Sequence, residues 1–412
     1  MQRLAALLTA AVCVSAAAVP CLWDRDTLRY EAQGLPGIVE TITGRFEREP
    51  DRFYEVRLER VARELAAEPQ RLDLYDDAGV ACDRLQRGDE AVAWMERKFA
   101  VLEGLADSPS RNEALYRYHA NLGTFLAHRW LRGGADRERL DDLHAGREHI
   151  RRALELNPDA HFGRERYQEF ALTWLITLPT PEEPGLSLGE EPWTLFDACP
   201  PELRPTLRMD GRVTSTYFDP NAAKATTALA GLIVLGDAWQ SVDVFNTLAR
   251  SLELQGHASV AYLAALRARE LALAGRRSLH PEFTAADPQL AGRLADFEHI
   301  VDAQALRTVE RFFAKARAEA DEWLAARTAF VLSRLDEGRH PDTDATFWSG
   351  YSSTSPPTPP GALISGGEQL NRKITGALVL LGLGFATVVV AVILRVRRWL
   401  RERRGSPENT VP

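Results

Sequence analysis

Between residues 21 and 345 the apolar positions recur mainly three or four residues apart, with Ala, Leu, Arg and Glu dominating and few β-branched runs. That period lays apolar side chains along one face of an α-helix, so the pattern predicts helix almost throughout. The segment 179–220 breaks the pattern. Pro179, Pro181, Pro184, Pro192, Pro200, Pro201, Pro205 and Pro220 exclude a continuous helix there, while Trp193, Leu195 and Phe196 predict a loop that is partly packed. Helix resumes at Asn221. One long helix is expected over 303–337, with Leu306, Val309, Phe313, Ala316, Ala320, Trp323 and Phe330 along one seam that Arg327 interrupts, closed by Gly338 and Pro341.

Three stretches share one arrangement: a large residue, a small-residue step, a turn, then alanines on a second helix. The first runs through Tyr75, Ala78, Gly79 and Cys82, turns near Gly88 and continues with Ala91 and Met95. The second has Asn121, Leu122, Gly123 and Leu126, a turn at Gly133 and Gly134, then Ala153 and Leu154. The third has Phe245, Leu248, Ala249, Leu252, Gly256, Ala261, Ala265 and Ala268. Small residues let antiparallel helices approach closely, and the large one fills the groove between them.

On these residues the chain resembles tetratricopeptide-repeat (TPR) proteins over 70–160 and 240–275. The segments CLWDRDTL and NPDAHFGRERYQ resemble pieces of exported bacterial TPR proteins with a C-terminal membrane anchor. The second repeat departs by an insertion between its helices, and the first by Lys98 late in its second helix, where the family pattern has alanine. The resemblance implies an all-α fold, a TPR-like α-solenoid of antiparallel helix pairs, with 303–337 capping the last repeat. It assigns no activity.

Both ends of the chain read as membrane signals. Arg3, an apolar stretch over 4–19 and the small residues Ala16, Ala17 and Ala18 predict a signal peptide over 1–20. The uncharged run 374–394 would extend about 32 Å as a helix, enough for one transmembrane span. Arg395, Arg397, Arg398, Arg401, Arg403 and Arg404 follow it and predict a basic cytoplasmic tail over 395–412. Gly382 and Ala386 form a small-xxx-small pair that would let two spans pack as a homodimer. The expected organisation is signal peptide 1–20, helical region 21–178, Pro-rich loop 179–220, helical region 221–345, Pro/Ser/Gly tether 346–373, span and tail. The expected location is the cytoplasmic membrane, with the bulk of the chain exported and the C-terminus inside.

Composition narrows the function. Apolar residues make up 45% and charged residues 26%, which excludes a wholly disordered chain. A net charge of −8 argues against nucleic acid as a partner. After loss of Cys13, the odd number Cys21, Cys82 and Cys199 allows one disulfide and a thiol, or three thiols. There is no G-x-S-x-G, no P-loop and no H-E-x-x-H, and His144 and His149 lie five apart, on different helix faces. No catalytic residue, metal or cofactor is therefore assigned.

The functional surface expected from the repeat register is the concave groove, where TPR domains bind peptides. Its lining would be Asp73, Asp76, Val80, Asp83 and Arg84, then Arg117, Thr124 and His128, then Asn246, Arg250 and Glu253. TPR clamps for a carboxyl terminus carry Lys and Asn where this chain has Asp76 and Val80, so the resemblance implies a partner of mixed or basic charge. These readings lead to a non-enzymatic, membrane-anchored scaffold that recruits protein or peptide partners. The alternatives are a ligand-sensing ectodomain that signals through the span, or an enzyme with a helical active site.

Overall fold

The computed structural model describes residues 22–158, 164–178, 199–200, 220–279 and 301–363. Described helices, in chain order, are α1 (Arg25–Gln33), α2 (Ile38–Thr43), α3 (Asp51–Ala67), α4 (Leu72–Arg84), α5 (Gly88–Glu103), α6 (Pro109–Arg132), α7 (Asp141–Leu156), α8 (Arg164–Thr177), α9 (Pro220–Val234), α10 (Val242–Leu254), α11 (Ala258–Leu273) and α12 (Ala303–Asp336). A short 3-10 turn, Ala238–Gln240, joins α9 to α10. Contacts divide the chain at Pro359 and Pro360 into two units. The second contributes one described 3-10 turn, Gly361–Leu363, and everything below concerns the first.

Helix ends follow local chemistry. Asp24 caps α1 by accepting from the Thr27 N–H, and Ser108 caps α6 by accepting from the Arg111 N–H, with Pro109 in the first turn. Asp302 caps α12 by accepting from the N–H groups of Gln304 and Ala305, and the chain leaves that helix through Gly338 at φ +76°.

From α3 onward each described helix packs against the next, and α4 also touches α6. The small residues seen in the sequence serve these approaches. A Cβ on Gly123 would meet the Gly146 carbonyl oxygen at 2.7 Å and Ile150 at 2.9 Å, and one on Gly146 would meet the Gly123 carbonyl oxygen at 2.8 Å. The α6–α7 crossing is thus set by two glycine backbones in contact. Gly123→Ala is expected to force these helices apart and destabilise the protein by about 1–3 kcal/mol, read from the urea midpoint.

The last described helix does not end an open stack. It returns to α3 and α2 while still packing on α11. Phe53, Tyr54, Ala81, Val331, Leu335 and Phe347 form one buried cluster that joins α3 and α4 to α12 and the segment after it. Beside them, Arg57 of α3 is fully buried. Its Nε and Nη2 donate to Asp342, 285 residues away, each at 2.8 Å. Its Nη1 donates to Asp26 at 2.7 Å and Asp24 at 3.3 Å. Arg327, the residue that interrupts the α12 seam, donates to both carboxylate oxygens of Glu49 at 2.6 and 2.8 Å and lies over the Trp348 ring. Residues 346–354, expected to begin a tether, include the fully buried Phe347. Arg45 binds Thr354, and the Trp323 indole donates to Ser353.

The TPR-like solenoid is therefore corrected to an all-α bundle with paired-helix packing. A solenoid stacks outward and leaves its ends apart, whereas here the ends are joined by apolar packing and buried ion pairs. The membrane architecture is corrected as well. No helix among the described residues is long and apolar enough to cross a membrane. The longest, α12, carries charged residues along its whole length. The expected signal peptide 1–20, the span 374–394 and the tail 395–412 lie outside the described residues, as do 179–198, with Trp193, Leu195 and Phe196, and 201–219 of the Pro-rich loop. A single-span topology with an exported bulk, an anchored scaffold and a ligand sensor signalling through the span are not upheld. The membrane is not retained as a partner, and the protein-partner assignment gains no support.

Closure also buries His340. His340 Nδ1 accepts from the Asp342 N–H, and Nε2 faces the Phe53 carbonyl oxygen at 3.2 Å. On α6 and α7, His119 and His149 face each other Nδ1 to Nδ1 at 2.8 Å, so one shared proton is the stable state. Burial pushes His340 and His119 down to about 4. Keeping them neutral contributes stability above pH 6.5 that is lost as the pH falls toward 4. Asp24 and Asp243, both pushed up to about 6 by burial, act with the opposite sign in the same window, because their protonation in the fold favours the native state. His340 is expected to stay neutral until the pH nears 4. NMR titration of its imidazole should give a midpoint near 4, and a midpoint near 6.5 would contradict the buried placement.

Candidate functional site

Where the N-terminal segment crosses the bundle, a small cleft opens to solvent. Its wall comes from five places in the chain: Asp24, Asp26, Thr27, Arg29 and Tyr30 at the start of α1, Glu47 and Glu49, Tyr54 of α3, Arg84 at the end of α4, and Val234 and Leu235 at the end of α9. Local sequence explains each position. The Asp24 cap and the Thr27 hydroxyl, which donates to the Leu22 carbonyl, fix the entry into α1. The stretch after α2 begins at Gly44, φ +84°, where a Cβ would strike the Trp239 ring at 2.4 Å. Beyond it residues 45–50 form no regular element, and their side chains divide between two sides. Phe46 and Arg48 go to Trp239, while Glu47 and Glu49 reach Arg29 and Arg327.

The cleft holds both signs of charge. Glu47 accepts from Arg29 Nη2 at 2.8 Å, and Asp26 accepts from Arg57. Arg84 directs its guanidinium to two backbone carbonyls, those of Gly236 at 3.1 Å and Leu235 at 2.7 Å, with Asp237 at 3.9 Å. Burial pushes Asp24 up, reinforced by Asp26 and opposed by Arg57. It also raises Glu49 against the pull of Arg327, and raises the Tyr30 and Tyr54 hydroxyls. Arg29 Nε and the Tyr30 hydroxyl are buried and have no hydrogen-bond partner among the described residues.

The residues expected to line a groove are dispersed. Asp76 is buried, with both oxygens on Lys98 Nζ at 2.6 and 2.7 Å and Oδ1 also accepting from Asn121. Val80 belongs to the core. Asp83 and His128 are fully buried together. His128 Nδ1 lies 2.8 Å from both Asp83 oxygens, and Arg132 donates to Asp83 at 2.7 Å. His128 Nε2 has no partner among the described residues, yet with neither side chain exposed the pair is out of reach of a substrate. Thr124 is buried, donating to the Ala120 carbonyl and accepting from Gln168. Asn246 is buried in α10. Asp73 is exposed beside Arg71, Arg250 pairs with Glu253, and Arg117 pairs with Glu113 and lies over the Trp23 ring. Of the eleven, Arg84 alone lines the cleft.

The N-terminal segment covers part of α4 and α6. Trp23 exchanges two hydrogen bonds with Asn121, its N–H donating at 2.7 Å and its carbonyl accepting at 2.9 Å, and Arg25 binds Asp77. Sequence reasoning missed Asp24, Asp26, Arg29, Tyr30, Glu47, Glu49 and Tyr54. One signal was present: the charged and aromatic residues of 45–49 lie between two helical stretches and follow a period of two. Cys82 is a buried thiol pushed up to about 12 by burial, so it is not a poised nucleophile. Among the described residues no three His, Cys, Asp or Glu side chains are placed to hold a metal ion. No protein-family model, no curated protein and no solved structure matches the chain, and the resemblance to exported TPR proteins is withdrawn with that result.

Proposed function

We propose that this domain binds a small zwitterion of the amino-acid kind in the cleft, without turning it over. The observation that carries the reading is a cleft wall bearing both signs of charge, Arg84 against Asp26 and Glu47, on which the Tyr30 hydroxyl has no hydrogen-bond partner among the described residues. An unmet buried polar group costs about 1–3 kcal/mol, which a ligand that meets it returns as affinity. The ligand's carboxylate would take Arg84 and the hydroxyls of Tyr30 and Tyr54, and its ammonium would take Asp26 and Glu47. A singly charged molecule would satisfy one set and be opposed by the other. Binding without chemistry fits the groups on the wall, since burial raises both tyrosine hydroxyls and the carboxylates are engaged by arginines.

Calorimetric titration of the full-length protein with free L-amino acids, small, acidic and basic, tests this. One saturable event is expected. Tyr30→Phe should weaken it about tenfold, while the ligand-free variant unfolds at the same temperature or higher, because the hydroxyl has no partner to lose. Arg84→Met should weaken it further. No heat with any amino acid, or a Tyr30→Phe variant that binds like the wild type, would sink the reading.

A further inference from the structure

On the opposite face of the 44–50 stretch, three guanidinium groups converge on one indole. Their Cζ atoms lie 3.8 Å (Arg267), 4.7 Å (Arg48) and 5.2 Å (Arg317) from the Trp239 ring centroid. Each comes from a different part of the chain: Arg48 from the 44–50 stretch, Arg267 from α11 and Arg317 from α12. Two carboxylates answer three cations. Glu270 pairs with Arg267 at 2.6 Å and Arg317 at 3.1 Å, and Asp321, 60% exposed, pairs with Arg317. Arg48 donates to the Gly44 carbonyl at 3.2 Å and has no ion-pair partner among the described residues. Arg267, 5% exposed, has a buried Nε without a hydrogen-bond partner. Arg48 and Trp239 are half-buried, so solvent reaches the cluster.

We propose that Arg48, Arg267 and Arg317 form a binding site for a phosphate group, carried on Trp239. The indole accounts for the stacking of the guanidinium planes, but an aromatic face gives a cation about 0.5–2 kcal/mol and neutralises nothing. A charge excess in half-buried surroundings is the state a bound anion relieves. Planar guanidinium forks suit a tetrahedral oxyanion, which can accept from several arginines at once. Burial, together with each arginine's like-charged neighbours, pushes Arg48 and Arg267 down to about 10, the electrostatic counterpart of that excess. Gly44 belongs to the same arrangement, since any side chain there would displace the indole and crowd Arg317. The site shares no residue with the cleft and stands independently of the amino-acid reading.

The test is thermal unfolding and calorimetry of the full-length protein with inorganic phosphate and with glycerol phosphate, against chloride at matched ionic strength. Arg48→Gln is the discriminating variant, because among the described residues Arg48 makes one backbone hydrogen bond and no ion pair. Arg48→Lys keeps the charge without the fork. A saturable rise in melting temperature with phosphate is expected, weakened at least tenfold in Arg48→Gln and by less in Arg48→Lys. Saturation by inorganic phosphate identifies the free ion as sufficient, and a response confined to glycerol phosphate identifies an ester. Equal melting temperatures in phosphate, glycerol phosphate and chloride, or an Arg48→Gln protein that titrates like the wild type, would overturn the proposal.

Discussion

Replacing Arg57 with methionine is expected to lower the unfolding free energy by about 3–5 kcal/mol, among the largest effects of any single substitution in the chain. The side chain is fully buried and offers its donors to Asp24, Asp26 and Asp342. Methionine fills much of the same volume, so the loss is electrostatic: Asp24 and Asp342 stay buried, and Asp26 partly so, without that cation. Arg60, which also reaches Asp342, and Arg25, which pairs with Asp77, cannot cover all three. Lysine should not rescue, because one ammonium cannot present the side-on pair of N–H groups that Asp342 accepts while also reaching Asp26. Urea unfolding gives the number directly. A loss below about 1 kcal/mol would mean that water already reaches the network.

The second large effect sits under the N-terminal segment. Lys98→Met is expected to cost about 3–5 kcal/mol, whereas Lys98→Met combined with Asp76→Leu should recover most of that loss. Lys98 is fully buried and Asp76 nearly so. Burial drives Asp76 up and Lys98 down, and each one's charge opposes that drift in the other. Removing the lysine alone strands an anion, while removing both strands nothing. Asn121 Nδ2 keeps its second acceptor, the Trp23 carbonyl. If the double variant is no more stable than the single one, the loss comes from packing around Met95 and Leu122 and the pair itself contributes little.

The helices were legible because amphipathic period and capping are local properties. The expected 303–337 helix is found at Ala303–Asp336, and Gly338 ends it as its sequence suggests. The repeat-like spacing was legible too, but it reports close helix pairs, of which Gly123 and Gly146 are one, and any bundle of paired helices needs such pairs. What it could not report is closure. Arg327 and Glu49 are 278 residues apart, and nothing near either residue marks the other. The burial of Asp76, Asp83 and His128 was hidden for a related reason: in sequence they read as a solvated face, while their partners lie on other helices. One clue was in view. Lys98 stands where the repeat pattern has alanine, and the departure marks a buried ion pair rather than a degenerate repeat. The cleft was hidden because five separate parts of the chain build it.

Closure of the bundle is the claim on which the cleft depends, since it brings Glu49, α12 and the N-terminal segment together. A double-mutant cycle across Arg327 and Glu49 measures it most directly, with Arg327→Met, Glu49→Gln and the pair compared by urea unfolding. The closed bundle predicts a coupling free energy of about 1–3 kcal/mol between residues 278 apart. Additivity within about 0.5 kcal/mol would contradict it, because in an open stack the two side chains never meet.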